Sequence, residues 1–269
     1  MPEWPDLHVV RRRIAAALVG RRIVAVRIGD PVVLRATRPV DELLVARRLD
    51  GVRHRGKFLI FDFDDAATMV VQPMLSGMFA LVPAGGAVTK DTRLRLEFAG
   101  GDELRYRDDT RMGKIYLDVS APGLAESGPE AGGLAWTAAE FAARARARRM
   151  ELRNLLMDQR FIGGIGNAYA DEILWEARLH PKRRIGSLDV DELERLHRAL
   201  DDVIARAVIA VERAMPPALG TKPRDHLRIR GRAGTPCPRC GATLKRRRSG
   251  LNDVDLCPHC QPPPKGQLF

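Results

Sequence analysis

Nowhere in its 269 residues does the chain hold a run of about 18 uncharged apolar residues, so no membrane-spanning helix is expected. The N-terminus, MPEWPDLHVVRRR, lacks the apolar stretch of a secretory signal, which points to a cytoplasmic location. Cysteine is absent until residue 237, and no segment repeats another. Acidic side chains are in short supply: 34 Asp and Glu face 45 Lys and Arg, a net charge of +11. That deficit favours a polyanionic partner, nucleic acid first and an anionic membrane surface second. With 45% apolar and 29% charged residues, the chain has a globular composition and enough material for a sizeable core.

The four cysteines that are present sit close together near the C-terminus. Cys237, Cys240, Cys257 and Cys260 follow the pattern C-x2-C-x16-C-x2-C. Without a secretion signal a disulfide framework is disfavoured, and two close thiolate pairs suit one tetrahedral Zn²⁺. The insert is long enough for a β-hairpin. A pair of redox CxxC motifs is the competing reading, and no βαβ pattern accompanies it. Four thiolates leave no open coordination position, so the zinc is expected to be structural, and a zinc ribbon by itself does not tell DNA, RNA and protein partners apart.

Along the chain, residues 5–19 read as an amphipathic helix, with Leu7, Val10, Ile14 and Leu18 on one face and Pro5 in the first turn. From Arg22 to Val119 short β-prone runs follow: RIVAVRIG, KFLIFDF, TMVVQ, MFALV, RLRLEFA, ELRYRD and KIYLDV. Their spacing predicts a sandwich or barrel of roughly 100 residues. Residues 120–135, rich in Gly, Pro, Ser and Ala, read as a linker. Capping boxes at Thr137/Glu140 and Asp189/Glu192 open helices over 138–147 and 190–214, with further helices expected at 149–159 and 168–177. The fold class is α+β. Three parts are expected: a β-sandwich domain over 1–125, a helical domain over 126–222, and a zinc hairpin with its tail over 223–269.

Several residues could carry chemistry. Met1-Pro2 is a start from which methionine is normally removed, leaving a secondary amine on Pro2. Such an α-amino group, with a pKa of roughly 8, is partly neutral at pH 7 and can attack an aldehyde-like carbon to form an iminium ion. Glu3 beside it offers a carboxyl group for proton transfer. The same residues also make an ordinary start with a capping carboxylate. Gly163-Gly164-Ile165-Gly166-Asn167 follows a helix rather than a strand, which removes it from the dinucleotide fingerprints. It fits a helix–turn–helix whose amides, with Asn167 as N-cap, meet a phosphate, or an ordinary helical hairpin turn. Lys57, after Arg53-His54-Arg55-Gly56, suits a phosphate or a solvated strand end. Met74, Leu75 and Met112 read as loop wedges into a DNA stack or as core residues, and Arg111 as a partner for an orphaned base or a phosphate.

Taken together, MPEWPDL, RGKFLIF, LRYRDDTRMG, LLMDQRFIGGIGNAYADEILWEARLHP and CPRC…CPHC resemble the formamidopyrimidine-DNA glycosylase / endonuclease VIII family over essentially the whole chain. The resemblance implies an N-terminal helix and β-sandwich, a helix–two-turn–helix module and a zinc hairpin. It also implies a monomeric base-excision-repair enzyme that binds damaged double-stranded DNA, without a nucleotide cofactor. Pro2 would attack C1′ of the damaged nucleotide, Glu3 would move protons at the sugar, and Lys57 and Asn167 would grip flanking phosphates. The resulting Schiff base would permit β- and then δ-elimination.

Three departures from the family pattern stand out. Asp6 occupies a position usually held by Glu, and its side chain is shorter. Asn252 lies where the family places a finger arginine, making Arg246, Arg247 and Arg248 candidates to replace it in the DNA grip. The segment from Pro217 to Cys237 is short for a lesion-closing excursion, and Leu75 and Met112 differ from the purine enzymes' residues. An endonuclease VIII-like preference is therefore expected over oxidised guanine. The rival readings are a zinc-ribbon nucleic-acid binder without catalysis and an abasic-site lyase that releases little base.

Overall fold

In a computed structural model, residues 1–249 and 252–264 are described. Helix α1 (Trp4–Leu18) forms where its apolar periodicity predicts, burying Leu7, Val9, Val10, Ile14 and Leu18. Pro5 falls in the first turn, where its missing N–H leaves no helical bond unmade. After the helix, Gly20 turns the chain at φ +87°, a conformation that favours glycine.

Strands β1 (Ile23–Ile28), β2 (Leu34–Ala36), β3 (Leu49–Arg55), β4 (Phe58–Phe63), β5 (Thr68–Gln72), β6 (Met78–Pro83), β7 (Thr92–Phe98), β8 (Asp102–Arg107) and β9 (Lys114–Leu117) follow, with α2 (Val40–Leu44) after β2. They make a four-stranded sheet, β1-β7-β8-β6, and a five-stranded sheet, β2-β9-β5-β4-β3, antiparallel except for β2 beside β9. Phe79, Leu94, Leu96 and Tyr106 of the first sheet share one core with Leu59, Phe61, Met69 and Val71 of the second, and Ile14 and Leu18 of α1 join it. Each such fully buried side chain contributes about 1.5–3 kcal/mol through removal from water. The unbroken apolar run of β4 has a reason: Leu59 and Phe61 face this core, while Phe58 and Ile60 pack with Val70 and Ala121 on the opposite face.

The later helices are α3 (Ala138–Arg146), α4 (Leu152–Met157), α5 (Asn167–Glu176) and α6 (Val190–Ala214). Both expected capping boxes form. The Thr137 N–H donates to Glu140 at 2.8 Å, and the Glu192 N–H donates to Asp189 at 2.8 Å. Helix α4 is shorter than the expected 149–159. The carbonyl of Met150 accepts the Ile185 N–H at 3.2 Å and Glu151 bridges Arg184, so the preceding backbone is committed to an extended pairing. Nor does the Gly- and Pro-rich stretch behave throughout as a loose tether. Gly128 N–H donates to the Gln159 carbonyl at 2.8 Å and Ala131, fully buried, bonds Gly163 at 3.1 Å. Strands β10 (Lys245–Ser249) and β11 (Asn252–Leu256) pair antiparallel.

The chain divides into two packing units, Met1–Glu126 with Val211–Pro223, and Ser127–Ala210 with Arg224–Phe269. The returning segment is tied into the first unit. Val211, Met215 and Leu219 join its core, and the Leu81 N–H bonds the Ala218 carbonyl at 2.9 Å. No helix among the described residues is long and apolar enough to cross a membrane.

Candidate active site and nucleic-acid interface

Pro2 and Glu3 are both buried at the start of α1. Glu3 is the N-cap, and its side chain accepts the N–H of Asp6 while the Asp6 carboxylate accepts the Glu3 N–H at 2.8 Å. The shorter Asp6 therefore completes the reciprocal cap despite its reach. Pro2 lies against a small pocket walled by Asp6, Leu7, Pro73, Gly77 and Phe79. Trp4 stacks on His8 with ring centroids 4.7 Å apart and lies 5.1 Å from the His54 ring on β3, which fixes this end of the helix to the sheet.

Lys57 sits in the two-residue turn between β3 and β4, where Arg55 pairs with Phe58. Gly56, at φ +54°, takes the first central position that such hairpins reserve for glycine. Half-buried, Lys57 has its pKa lowered by loss of solvent, with the nearby Glu3 carboxylate pulling the other way. The Lys57 ammonium and the Glu3 carboxylate are thus close enough to interact, and Glu3 directly follows the buried Pro2.

The two loops carrying the apolar candidates lie at one end of the four-stranded sheet. Leu75 is 56% exposed and Met112 47%, so neither is a core residue. Arg111, at φ +57°, is engaged by Asp30 at 3.2 Å. Both loops are pinned by Asp108, a residue that sequence reasoning gave no role. Its carboxylate accepts from the Ser76 hydroxyl, from Thr110 at 2.8 Å and from the Gly113 N–H at 2.7 Å. Ser76 and Thr110 hydroxyls are 2.7 Å apart, and Tyr106 donates to the Pro73 carbonyl at 3.3 Å. A Cβ on Gly77 would come within 2.1 Å of the Pro73 carbonyl oxygen, and one on Gly113 within 1.8 Å of the Tyr106 hydroxyl, so both positions require glycine. Burial pushes the Asp108 carboxyl up, but these donors outweigh it and hold the carboxyl below its usual range.

In the second unit, Gly166 rather than Asn167 is the N-cap of α5 and Asn167 is its first helical residue, so the helix starts one position earlier than expected. The turn before it is closed by Gln159, which accepts the Gly164 N–H at 2.9 Å and donates to the Ile165 carbonyl at 2.8 Å. The Asn167 carboxamide oxygen accepts from Arg153 at 2.7 Å. Arg153, buried on the apolar face of α4 between Leu152 and Leu155, left no motif in the sequence beyond a charge among leucines.

The thiols of Cys237, Cys240, Cys257 and Cys260 all lie within 4.8 Å of one another. Sulfur separations of 4.0 Å (Cys237 to Cys260) and 3.5 Å (Cys240 to Cys257 and to Cys260) match the roughly 3.8 Å edge of a tetrahedron with Zn–S bonds of about 2.3 Å. The Trp175 indole N–H donates to Cys237 at 3.4 Å, seating the thiolate cluster on α5. The three hairpin arginines are all exposed, and Arg246 is held by the buried Asp255 through bonds of 2.8 and 3.0 Å. The Asn252 side chain lies outside the described part of the structure.

Comparison with known proteins accounts for this set of features. The formamidopyrimidine-DNA glycosylase N-terminal domain matches residues 1–115, the H2TH domain of the same glycosylase 128–215, and a zinc finger found in FPG and IleRS 234–263. The formamidopyrimidine-DNA glycosylase of Moorella thermoacetica is 33% identical over 258 residues, covering 91% of this chain and 94% of that one. That of Herpetosiphon aurantiacus is 32% identical over 274 residues, covering 97% and 100%. Among solved structures, a complex of the Lactococcus lactis Fpg with abasic-site DNA superposes with a TM-score of 0.87 at 25% identity, covering 97% of this chain and 100% of that chain. The chain thus belongs to the formamidopyrimidine-DNA glycosylase family, zinc-finger DNA glycosylases of base excision repair.

Proposed function

We propose that the protein is a bifunctional glycosylase and abasic-site lyase whose nucleophile is the Pro2 amine, exposed when Met1 is removed. The observation that carries this reading is the placement of Pro2: buried, held by the Glu3–Asp6 cap, and close to the Glu3–Lys57 pair. The amine lone pair attacks C1′ of the damaged nucleotide. A C1′–N bond forms and the glycosidic bond breaks, the base leaving with a proton. Glu3 protonates the ring oxygen as the sugar opens, leaving an iminium ion on Pro2. Loss of the 2′ proton then expels the 3′ phosphate, and a second elimination expels the 5′ phosphate. Lys57 holds a phosphate beside the reacting sugar. Zinc, bound by Cys237, Cys240, Cys257 and Cys260, supplies the folding energy of the hairpin and no chemical step.

Extruding the base costs a few kcal/mol, least where stacking is already damaged. Leu75 and Met112, exposed on loops that Asp108 pins, fill the space it leaves, and Arg111 faces the orphaned base. Asn167 at the N-terminus of α5, with Arg246, Arg247 and Arg248 on the hairpin, meets phosphates. The lesion preference is endonuclease VIII-like. What supports it is the segment 224–231, where the N–H groups of Arg228, Ile229 and Arg230 donate to Glu172 at 2.9–3.0 Å, leaving little chain for a loop over an oxidised purine. The names of the curated relatives favour the purine lesion instead, and a panel of both lesion types separates the two.

Borohydride with abasic DNA tests the mechanism. The expected result is a covalent adduct mapped to Pro2 by mass spectrometry, with Met1 absent; an adduct on a lysine, or none, overturns it. Glu3→Gln should slow release of a damaged base far more than cleavage at a pre-formed abasic site, because only the first step needs its proton. Retained binding without any trapping would favour the non-catalytic zinc-ribbon reading.

A further inference from the structure

We propose that Arg153 is a positioning residue for DNA binding: it sets the carboxamide of Asn167 so that the amide nitrogen is turned toward a phosphate. The proposal rests on the reading of Asn167 as a phosphate contact.

Asn167 and Asp171 lie one turn apart on α5 and therefore share a face. The Arg153 guanidinium, from α4, spans the two. Its Nε donates to Asp171 Oδ1 at 3.0 Å and a terminal nitrogen donates to Asn167 Oδ1 at 2.7 Å. A guanidinium has donors and no acceptor, so the carboxamide atom facing it must be the oxygen. The NH2 group is then fixed on the other side, and it is a donor, the group that a phosphate oxygen accepts. Without that donor the carboxamide can turn its oxygen toward the phosphate, which repels it, and the amide donor is lost.

The side chain of Arg153 is only 3% exposed and that of Asp171 is fully buried. Arg230 adds a second bond to Asp171, at 2.7 Å, and reaches the Asp253 carbonyl of β11 at 2.7 Å. The Asp255 N–H of the same strand donates to Asp171 at 3.1 Å. The ion pair that orients Asn167 is thus also where the zinc hairpin seats on α5. A planar fork with fixed donor directions is needed to reach both acceptors, which makes arginine the required residue and lysine an inadequate substitute.

The test is a double-mutant cycle on the zinc-loaded full-length protein, with affinity for an abasic-site duplex read by fluorescence anisotropy. Asn167→Ala should weaken binding about tenfold. Arg153→Lys retains a cation against Asp171 but loses the fork, and should weaken binding by a similar factor. The pair should be no worse than either alone. In trapping assays the half-saturating DNA concentration should rise more than the saturated rate falls, which a general loss of folded protein would not produce. Arg153→Gln, with melting temperature and zinc content measured alongside, repeats the cycle should the lysine variant fold poorly. Losses that multiply in the double variant, or wild-type affinity in both Arg153 variants, would overturn the proposal. If Asn167→Ala alone leaves affinity unchanged, the phosphate reading of Asn167 has failed and the proposal falls with it.

Discussion

The Asp6 carboxylate accepts the Glu3 backbone N–H at 2.8 Å while the Glu3 side chain accepts the Asp6 N–H, so the two acids hold each other across the first turn of α1. In the proposed mechanism, structural support and proton chemistry share one residue. Glu3 caps the helix and, in the proposed mechanism, carries a proton; Asp6 keeps the backbone between Pro2 and Glu3 in place. Removing Asp6 should separate these roles, since Glu3 stays but its seat loosens.

Asp6→Ala is expected to cost about 0.5–2 kcal/mol, the range for loss of an N-terminal cap. It should slow abasic-site trapping as well as base release, because the nucleophile itself is displaced. Urea unfolding and borohydride trapping rates measure the two effects. Asp6→Glu, which restores the family's usual side chain, should keep both near wild type.

Asp108 gives a pH dependence with a definite sign. Its carboxyl is held below the ordinary value of about 3.9, so it adds stability that is fully present above that pH and is lost as pH falls through its folded-state value. Asp108→Asn removes the charge that Ser76, Thr110 and Gly113 bind. It should destabilise the protein by about 1.5–3 kcal/mol at pH 7, the range for hydrogen bonds to a charged group. Its stability should then fall less steeply than wild type between pH 5 and pH 3. Urea unfolding at each pH supplies the comparison, and parallel curves would show that Asp108 does not titrate as its contacts require.

Much of the fold was legible because its signals are local. Apolar periodicity marks α1, alternating short runs mark most strands, and Thr137/Glu140 and Asp189/Glu192 announce two helices by capping chemistry alone. Strand β3 carries no such signal because LDGVRHR has few apolar residues; it is a strand through pairing with β4, which no local pattern encodes. The same distinction holds at the site. Cysteine spacing and Met1-Pro2-Glu3 can be read from neighbours in sequence, whereas Asp108 and Arg153 act on residues brought near by folding, Ser76 across 32 positions and Asn167 across 14.

Zinc removal should abolish DNA binding while leaving the β-sheet unit folded. The hairpin has little core beyond Trp175, Ile229, Leu244 and the cysteines themselves, so the metal supplies its folding energy. After chelation, calorimetry should retain a cooperative transition from the first unit, whose core is independent of the cysteines. Full affinity in metal-free protein would show the finger to be dispensable, and zinc well below one per chain in fresh protein would challenge the site.

Asn252 begins β11 opposite Ser249, at the position where the family pattern carries an arginine. If a phosphate contact has been lost there, Asn252→Arg should tighten binding to lesion DNA and steepen its salt dependence by about one contact, a slope change near −0.9. Base excision should accelerate too, because firmer anchoring stabilises the extruded nucleotide. All three arginines of β10 are exposed, but Arg246 is already held by Asp255 and must leave or share that bond to reach DNA. A rewired grip would therefore show as loss of activity on alanine substitution of Arg247 or Arg248, with little gain from Asn252→Arg. Arg246→Ala has a different expected signature: lower thermal stability of the hairpin, since it strips a partner from the buried Asp255. Salt-titrated binding of the four variants, with melting temperatures measured alongside, distinguishes a weakened finger from a rewired one. No change in any variant's binding would mean that the hairpin does not hold the lesion strand, whatever Pro2 does.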